Sequence, residues 1–208
     1  MHMFVLMVLL VSTYLLLAAK RFTALVRSFQ YQSAGLFLAT FLSALSTREK
    51  ELYVVAGLVL ALKVVLIPRL LTNIVQKIKA HEDLGLLVNP QLSLVSALVL
   101  TYLSWFFARC VAQAPVHAVI AVAFFVVLSG LFLMIFRLTA LAQVVGLCVM
   151  ENGLFLLAAA VSGGMPFFVE IAIFFDVFVS VMIMGFFVYR ISRLFTHIDV
   201  DKLSRLKG

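Results

Sequence analysis

Residues 116 to 136, VHAVIAVAFFVVLSGLFLMIF, contain no Asp, Glu, Lys or Arg. A helix needs ~20 such residues to cross ~30 Å of hydrocarbon at 1.5 Å per residue, whereas a surface helix of a soluble domain keeps one polar face. Similar runs recur near 2–19, 31–47, 52–71, 91–112, 139–161 and 167–189, so the chain carries about seven candidate spans. The whole sequence is 65% apolar and only 12% charged, with a mean hydropathy of +1.20; soluble domains carry about a quarter charged residues. Ten-residue segments of alternating polarity, which a membrane barrel would need, are absent. The sequence predicts an all-α integral membrane protein.

Charged and turn-forming residues separate the runs. Lys20 and Arg21 close the first, and Arg48, Glu49, Lys50 and Glu51 close the second. Asn89 and Pro90 read as the cap and first residue of the fourth. The fifth and sixth meet at Arg137, and Gly163, Gly164, Met165 and Pro166 form a turn before the seventh. The first run has no basic residue ahead of it and two after it, so it reads as a retained span rather than a cleaved signal.

Orientation follows from the basic residues. With the N-terminus outside, 12 Lys and Arg fall in inner connections and only Arg48, Lys50 and Arg109 in outer ones. This bias predicts an outer N-terminus and a cytoplasmic C-terminus. The formal net charge of +7 then belongs to the cytoplasmic edge and implies no nucleic-acid partner. Leu70, Leu71, Ile74, Val75 and Ile78 recur at helical spacing, with Gln76, Lys77, Lys79 and His81 on the other side. The third helix is therefore expected to continue as an amphipathic cytoplasmic extension at about 72–83, either lying at the lipid interface or docking a soluble partner.

No metal or cofactor signature is present. Cys110 and Cys148 form no CxxC pair, and His2, His81, His117 and His197 do not pair at i, i+3 or i, i+4. Neither a GxxxxGK phosphate loop nor a GxGxxG motif occurs. The expectation is a chain with no cofactor and no redox centre of its own.

The charges inside the spans are the informative feature. Glu151, Glu170 and Asp176 fall within predicted spans, as does Lys63. A charge at the bilayer centre costs at least ~2.5–3.5 kcal/mol on insertion scales, so such groups face protein or a wet cavity. Glu151 lies 14 residues from Arg137 and Asp176 lies 14 from Arg190, which puts both about 21 Å from the same edge, at matching depth on neighbouring helices. Two acids so placed suit proton exchange within one cavity. Glu170 lies nearer the outer edge, as an exit group or a solvated interfacial residue. Lys63 either faces the interior or snorkels towards Arg69, about 9 Å away. For Glu151 the competing role is structural, a hydrogen bond to Asn152 or a facing helix or a tight pair with Lys63 that braces helices, and for Asp176 it is similar.

A family resemblance rests on these residues. About 116–208 resembles the three-helix NuoK subunit of respiratory complex I and its counterpart in multisubunit cation/proton antiporters, MrpC. The whole chain, with VMENGLF, GGMPFFVEIAIFFDVFV and the terminal YRISRLFTHIDVDKLSRLKG, resembles the hydrogenase-4 component E family. The resemblance implies an N-terminal four-helix segment over 1–112 and a NuoK-like module with a basic tail over 113–208. It also implies membership in the membrane arm of a complex I-like group 4 nickel–iron hydrogenase or formate hydrogenlyase, beside antiporter-like, NuoH-like and NuoJ-like subunits and a soluble hydrogenase arm, in the cytoplasmic (inner) membrane of a prokaryote. Glu151 matches the family's acid in the second helix of the module; either Asp176 or Glu170 matches that of the third. Glu151, Asp176, Glu170 and Lys63 are then expected to relay protons, or sodium, driven by redox chemistry in other subunits. A self-contained transporter would need internal repeats and helices broken by Gly or Pro at mid-membrane; Pro68, Pro90, Pro115 and Pro166 all stand at span ends. A scaffold subunit of the same arm, or an antiporter subunit, stays open.

Overall fold

The computed structural model describes residues 3–48, 50–78, 89–111 and 116–161, with residue 179 besides. Every regular element among them is helical: α1 (Met3–Ala18), α2 (Phe22–Thr47), α3 (Lys50–Leu58), a π-helical segment (Val59–Leu66), α4 (Ile67–Ile78), α5 (Pro90–Val111), α6 (His117–Phe136) and α7 (Ala140–Val161). All belong to one compact unit that ends at Ala172. Of the expected seventh span only Val179, helical and buried, is described. It belongs to the second unit, Ile173–Gly208.

Four helical stretches are long and apolar enough to cross a membrane: Lys50–Asn73, Pro90–Val111, His117–Phe136 and Ala140–Val161. The shorter α1 is also apolar. These confirm a helical membrane protein. Starts and stops follow local chemistry where a cap is visible. Ser93 N donates to Asn89 O at 2.9 Å as α5 opens at Pro90, and Arg48, in the left-handed region at φ 58°, ends α2 by donating its N–H to Ala44 O at 2.8 Å.

The second helix departs from expectation. It begins at Phe22, not near 31, so Arg27 stands on a helix rather than in a connection. The reason is an amphipathic turn: Phe22, Leu25, Val26 and Phe29 are buried at helical spacing while Arg27 is exposed. Further along, Ser28, Gln32, Ser33 and Thr40 are also buried, and they lower the hydropathy of a helix that is long enough to span. Protein, not lipid, surrounds this face. The α2 helix packs against α1, against α3, the π segment and α4, and against α7.

Helices α6 and α7 approach each other closely. A Cβ added to Gly130 would stand 2.5 Å from Met150 N, and one on Gly153 would stand 2.6 Å from Val127 N. Small residues let helix backbones approach where lipid supplies no hydrophobic drive for association. Because Gly153 faces α6, Glu151, two residues and 200° earlier, is turned to the other side of α7.

Candidate functional site

The π segment runs into its neighbours without a break: Leu58 and Ile67 at its two ends have ordinary α dihedrals. Its ladder is widened, with Ile67 N donating to Leu62 O five residues back. A π turn carries one extra residue and leaves carbonyls poorly served. Here Gln30 Nε2 of α2 donates to Val64 O at 2.9 Å. The extra residue sets the register of the adjoining Lys63, which lies at the middle of the Lys50–Asn73 span and is 1% exposed. Snorkelling towards Arg69 is therefore not what Lys63 does.

Lys63 meets α7. Its Nζ donates to Asn152 Oδ1 at 3.0 Å and lies 3.8 Å from Glu151 Oε2, with both charged side chains 1% exposed. Glu151 stands at the middle of Ala140–Val161, so the two charges meet at mid-span on both helices. Of the residues singled out from the sequence, Lys63 and Glu151 are brought together. Glu170 and Asp176 lie outside the described residues.

Beyond Lys63 the hydrogen bonds form a directed chain that sequence reasoning missed. Asn152 Nδ2 donates at 3.2 Å to both Gln32 Oε1 and Ser33 Oγ. Gln32 Nε2 donates to Thr13 Oγ1 at 2.7 Å, and Thr13 donates to Leu9 O at 2.6 Å. Donation runs one way, from the ammonium to a backbone carbonyl of α1, and each side-chain oxygen faces back towards Lys63. Buried polar networks of this kind specify one packing only when every member is satisfied. Amides accept and donate but do not hand protons on at neutral pH, so this branch positions Lys63 and Asn152 and carries no proton itself. Its sequence signal was the cluster of polar residues on an otherwise apolar helix: Ser28, Gln32, Ser33 and Thr40.

A second buried cation lies at the turn between α6 and α7. Arg137 is 1% exposed, and its Nη2 donates to Leu17 O at 2.9 Å, in the last turn of α1. Cations are favourable at helix C-termini, where carbonyls lack partners. Burial pushes the guanidinium below its ordinary value, though an arginine stays charged at neutral pH. Arg137 thus ties three helices together, a role that a topology marker need not have.

Among the described residues no group of His, Cys, Asp and Glu could hold a metal ion. Cys110 is exposed and Cys148 buried. The candidate site is a buried ion pair at the middle of two long apolar helices, with a supporting hydrogen-bond chain.

Comparison with known proteins agrees in kind. The chain is 31% identical over 204 residues to an uncharacterized protein, Rv0085, of Mycobacterium tuberculosis, covering 96% of this chain and 92% of the relative. It is 27% identical over 183 residues to hydrogenase-4 component E of Escherichia coli, covering 86% of this chain and 85% of that protein, with the same figures for its counterpart in Shigella flexneri. No family model and no solved structure matches. The chain therefore belongs to one family with the mycobacterial Rv0085 protein and is a distant relative of hydrogenase-4 component E.

Proposed function

We propose that this chain is a membrane subunit of a complex I-like hydrogenase or formate hydrogenlyase arm, in which Lys63 and Glu151 form part of a proton, or sodium, path. The observation that carries the proposal is the mid-span approach of two buried opposite charges, 3.8 Å apart. Such pairs are costly in a membrane and concentrate on ion pathways and proton relays. The distant relation to hydrogenase-4 component E supports the setting. In it, electron transfer in other subunits drives the ion, and this chain holds no redox centre. Lys63 and Glu151 are the exchanging groups, Asn152 and the amide chain behind it hold them in register, and Asp176 or Glu170 continues the path.

A structural reading has one observation in its favour: the same pair joins the π segment to α7, so it also braces two helices. Within the pair the ammonium is held unequally by its two partners. Lys63 makes its 3.0 Å hydrogen bond to Asn152, whereas the carboxylate stays at 3.8 Å. This is longer than the 2.7–2.9 Å of a charge-assisted hydrogen bond.

The two readings separate in proteoliposomes holding the purified complex. Redox-driven proton uptake is compared between wild type and Glu151→Gln, with the soluble-arm reaction and subunit assembly followed in parallel. We expect uptake to collapse while assembly and the soluble-arm reaction persist. Unchanged uptake leaves Glu151 as a brace and the chain as a scaffold.

A further inference from the structure

An apolar cavity of about 210 Å³ lies between α1, α5 and α6, walled by Met3, Met7 and Leu10 of α1, Trp105 of α5, and Ala118 and Phe125 of α6. Thr101 also lines it, but its hydroxyl is already committed, donating to Ala97 O at 2.8 Å and accepting from Tyr14 at 2.7 Å. The wall offers water nothing to bind, and cavities of that kind stay dry or take up apolar molecules. Met3, Met7 and Trp105 are exposed, so the cavity is open along that side. Met3 begins α1, Ala118 is the second residue of α6, and Trp105 is in the second half of α5. One end of the groove therefore reaches the end of the bundle, and the other reaches Leu10 and Phe125 in its middle.

A cation stands at the outer end. Arg109 Cζ lies 5.5 Å from the Trp105 ring centroid, and the His117 ring meets Trp105 edge-on at 5.0 Å. Arg109 is exposed and, among the described residues, pairs with no acid. An apolar slot capped by a basic group matches an amphiphile with an anionic head. A partner helix, 10–12 Å across, is too wide for a cavity of this volume.

We propose that the groove binds an anionic phospholipid, with one acyl chain in the cavity and its phosphodiester held by Arg109 beside Trp105. Guanidinium groups bind phosphate oxygens through paired N–H donors, and Trp favours the membrane interface.

Trp105 is the one tryptophan of the chain, so its fluorescence reports this groove alone. The full chain is reconstituted in bilayers containing a low fraction of phosphatidylglycerol or phosphatidylcholine with brominated acyl chains, which quench indole on contact. Quenching should favour phosphatidylglycerol by roughly fivefold in apparent affinity, the order expected of one basic side chain at an anionic headgroup. Arg109→Gln should remove that preference, and Ala118→Leu, which fills the slot, should reduce quenching by bromines placed deep in the chain. Equal quenching by both lipids would mean ordinary boundary contact and would overturn the proposal. So would a preference that survives Arg109→Gln, or quenching that Ala118→Leu leaves unchanged. Quenching that falls as protein density in the bilayer rises would assign the groove to a second copy of the chain instead.

Discussion

Lys63 and Glu151 show what one buried charge asks of another. Removing either takes an opposite charge away from its partner in a low-dielectric interior, and breaking a buried pair on one side costs roughly 3–5 kcal/mol. Lys63→Met should therefore lower the thermal midpoint of the purified protein in detergent by more than Glu151→Gln. The amide left by Glu151→Gln can still accept a hydrogen bond from Lys63, whereas Lys63→Met takes the opposite charge away from the buried carboxylate. The double variant should recover most of the loss, because no buried charge remains at the pair. A double variant as unstable as Lys63→Met would show that Lys63 matters through packing and not through charge. Glu151 and Lys63 were legible as ionisable residues in apolar spans. Gln32 and Thr13 were not, because neutral polar residues in a membrane helix are ordinary until a partner 19 or 120 residues away turns them into a network.

Elements carry the next level. The α6 and α7 boundaries were readable to within a residue or so, since the apolar runs end at Arg137 and just before Gly163 and Gly164 in the sequence. Their closeness was not, for glycines in a membrane helix mark contact only once the facing helix is known. Gly153→Ala places a methyl group 2.6 Å from Val127 N, so α6 and α7 must separate. We expect a loss of roughly 1–3 kcal/mol, the range for overpacking a tight interior, read as a lower thermal midpoint. The separation should also move Glu151 relative to Lys63 and weaken ion uptake in assembled complex. An unchanged midpoint would mean that the two helices yield freely. The π segment, by contrast, had no sequence signature: VLALKVVL contains neither Gly nor Pro. Its register fits the contacts that α2 and α7 make with it, Gln30 with Val64 O and Asn152 with Lys63.

At the scale of the whole molecule, the distribution of basic residues predicts an outer N-terminus, which places the end of α5 outside as well. Cys110 is exposed at that end and Cys148 is buried in α7. A thiol reagent that cannot cross membranes should label intact, right-side-out cells at Cys110 and spare Cys148, and Cys110→Ser should abolish the labelling. Labelling only after the membrane is opened would reverse the orientation. One face of α5, including Leu92, Val95, Leu98, Tyr102 and Phe106, is exposed.

By itself the sequence determined the class of the protein and the four long apolar helices found among the described residues, because crossing a bilayer depends on a property summed along the chain: the apolar content of each ~20-residue window. It also marked Lys63 and Glu151 as residues that need a reason, since the cost of a charge in hydrocarbon is local to the residue. Tertiary structure alone decided what those reasons are. That Lys63 turns inward to Asn152 and Glu151 instead of snorkelling, that Arg137 caps α1, and that α2 starts nine residues earlier to bury Phe22 and Phe29 all depend on which faces meet. Hydrogen bonds and ion pairs act over a few ångströms between residues far apart in the chain, and no window along the sequence contains both partners.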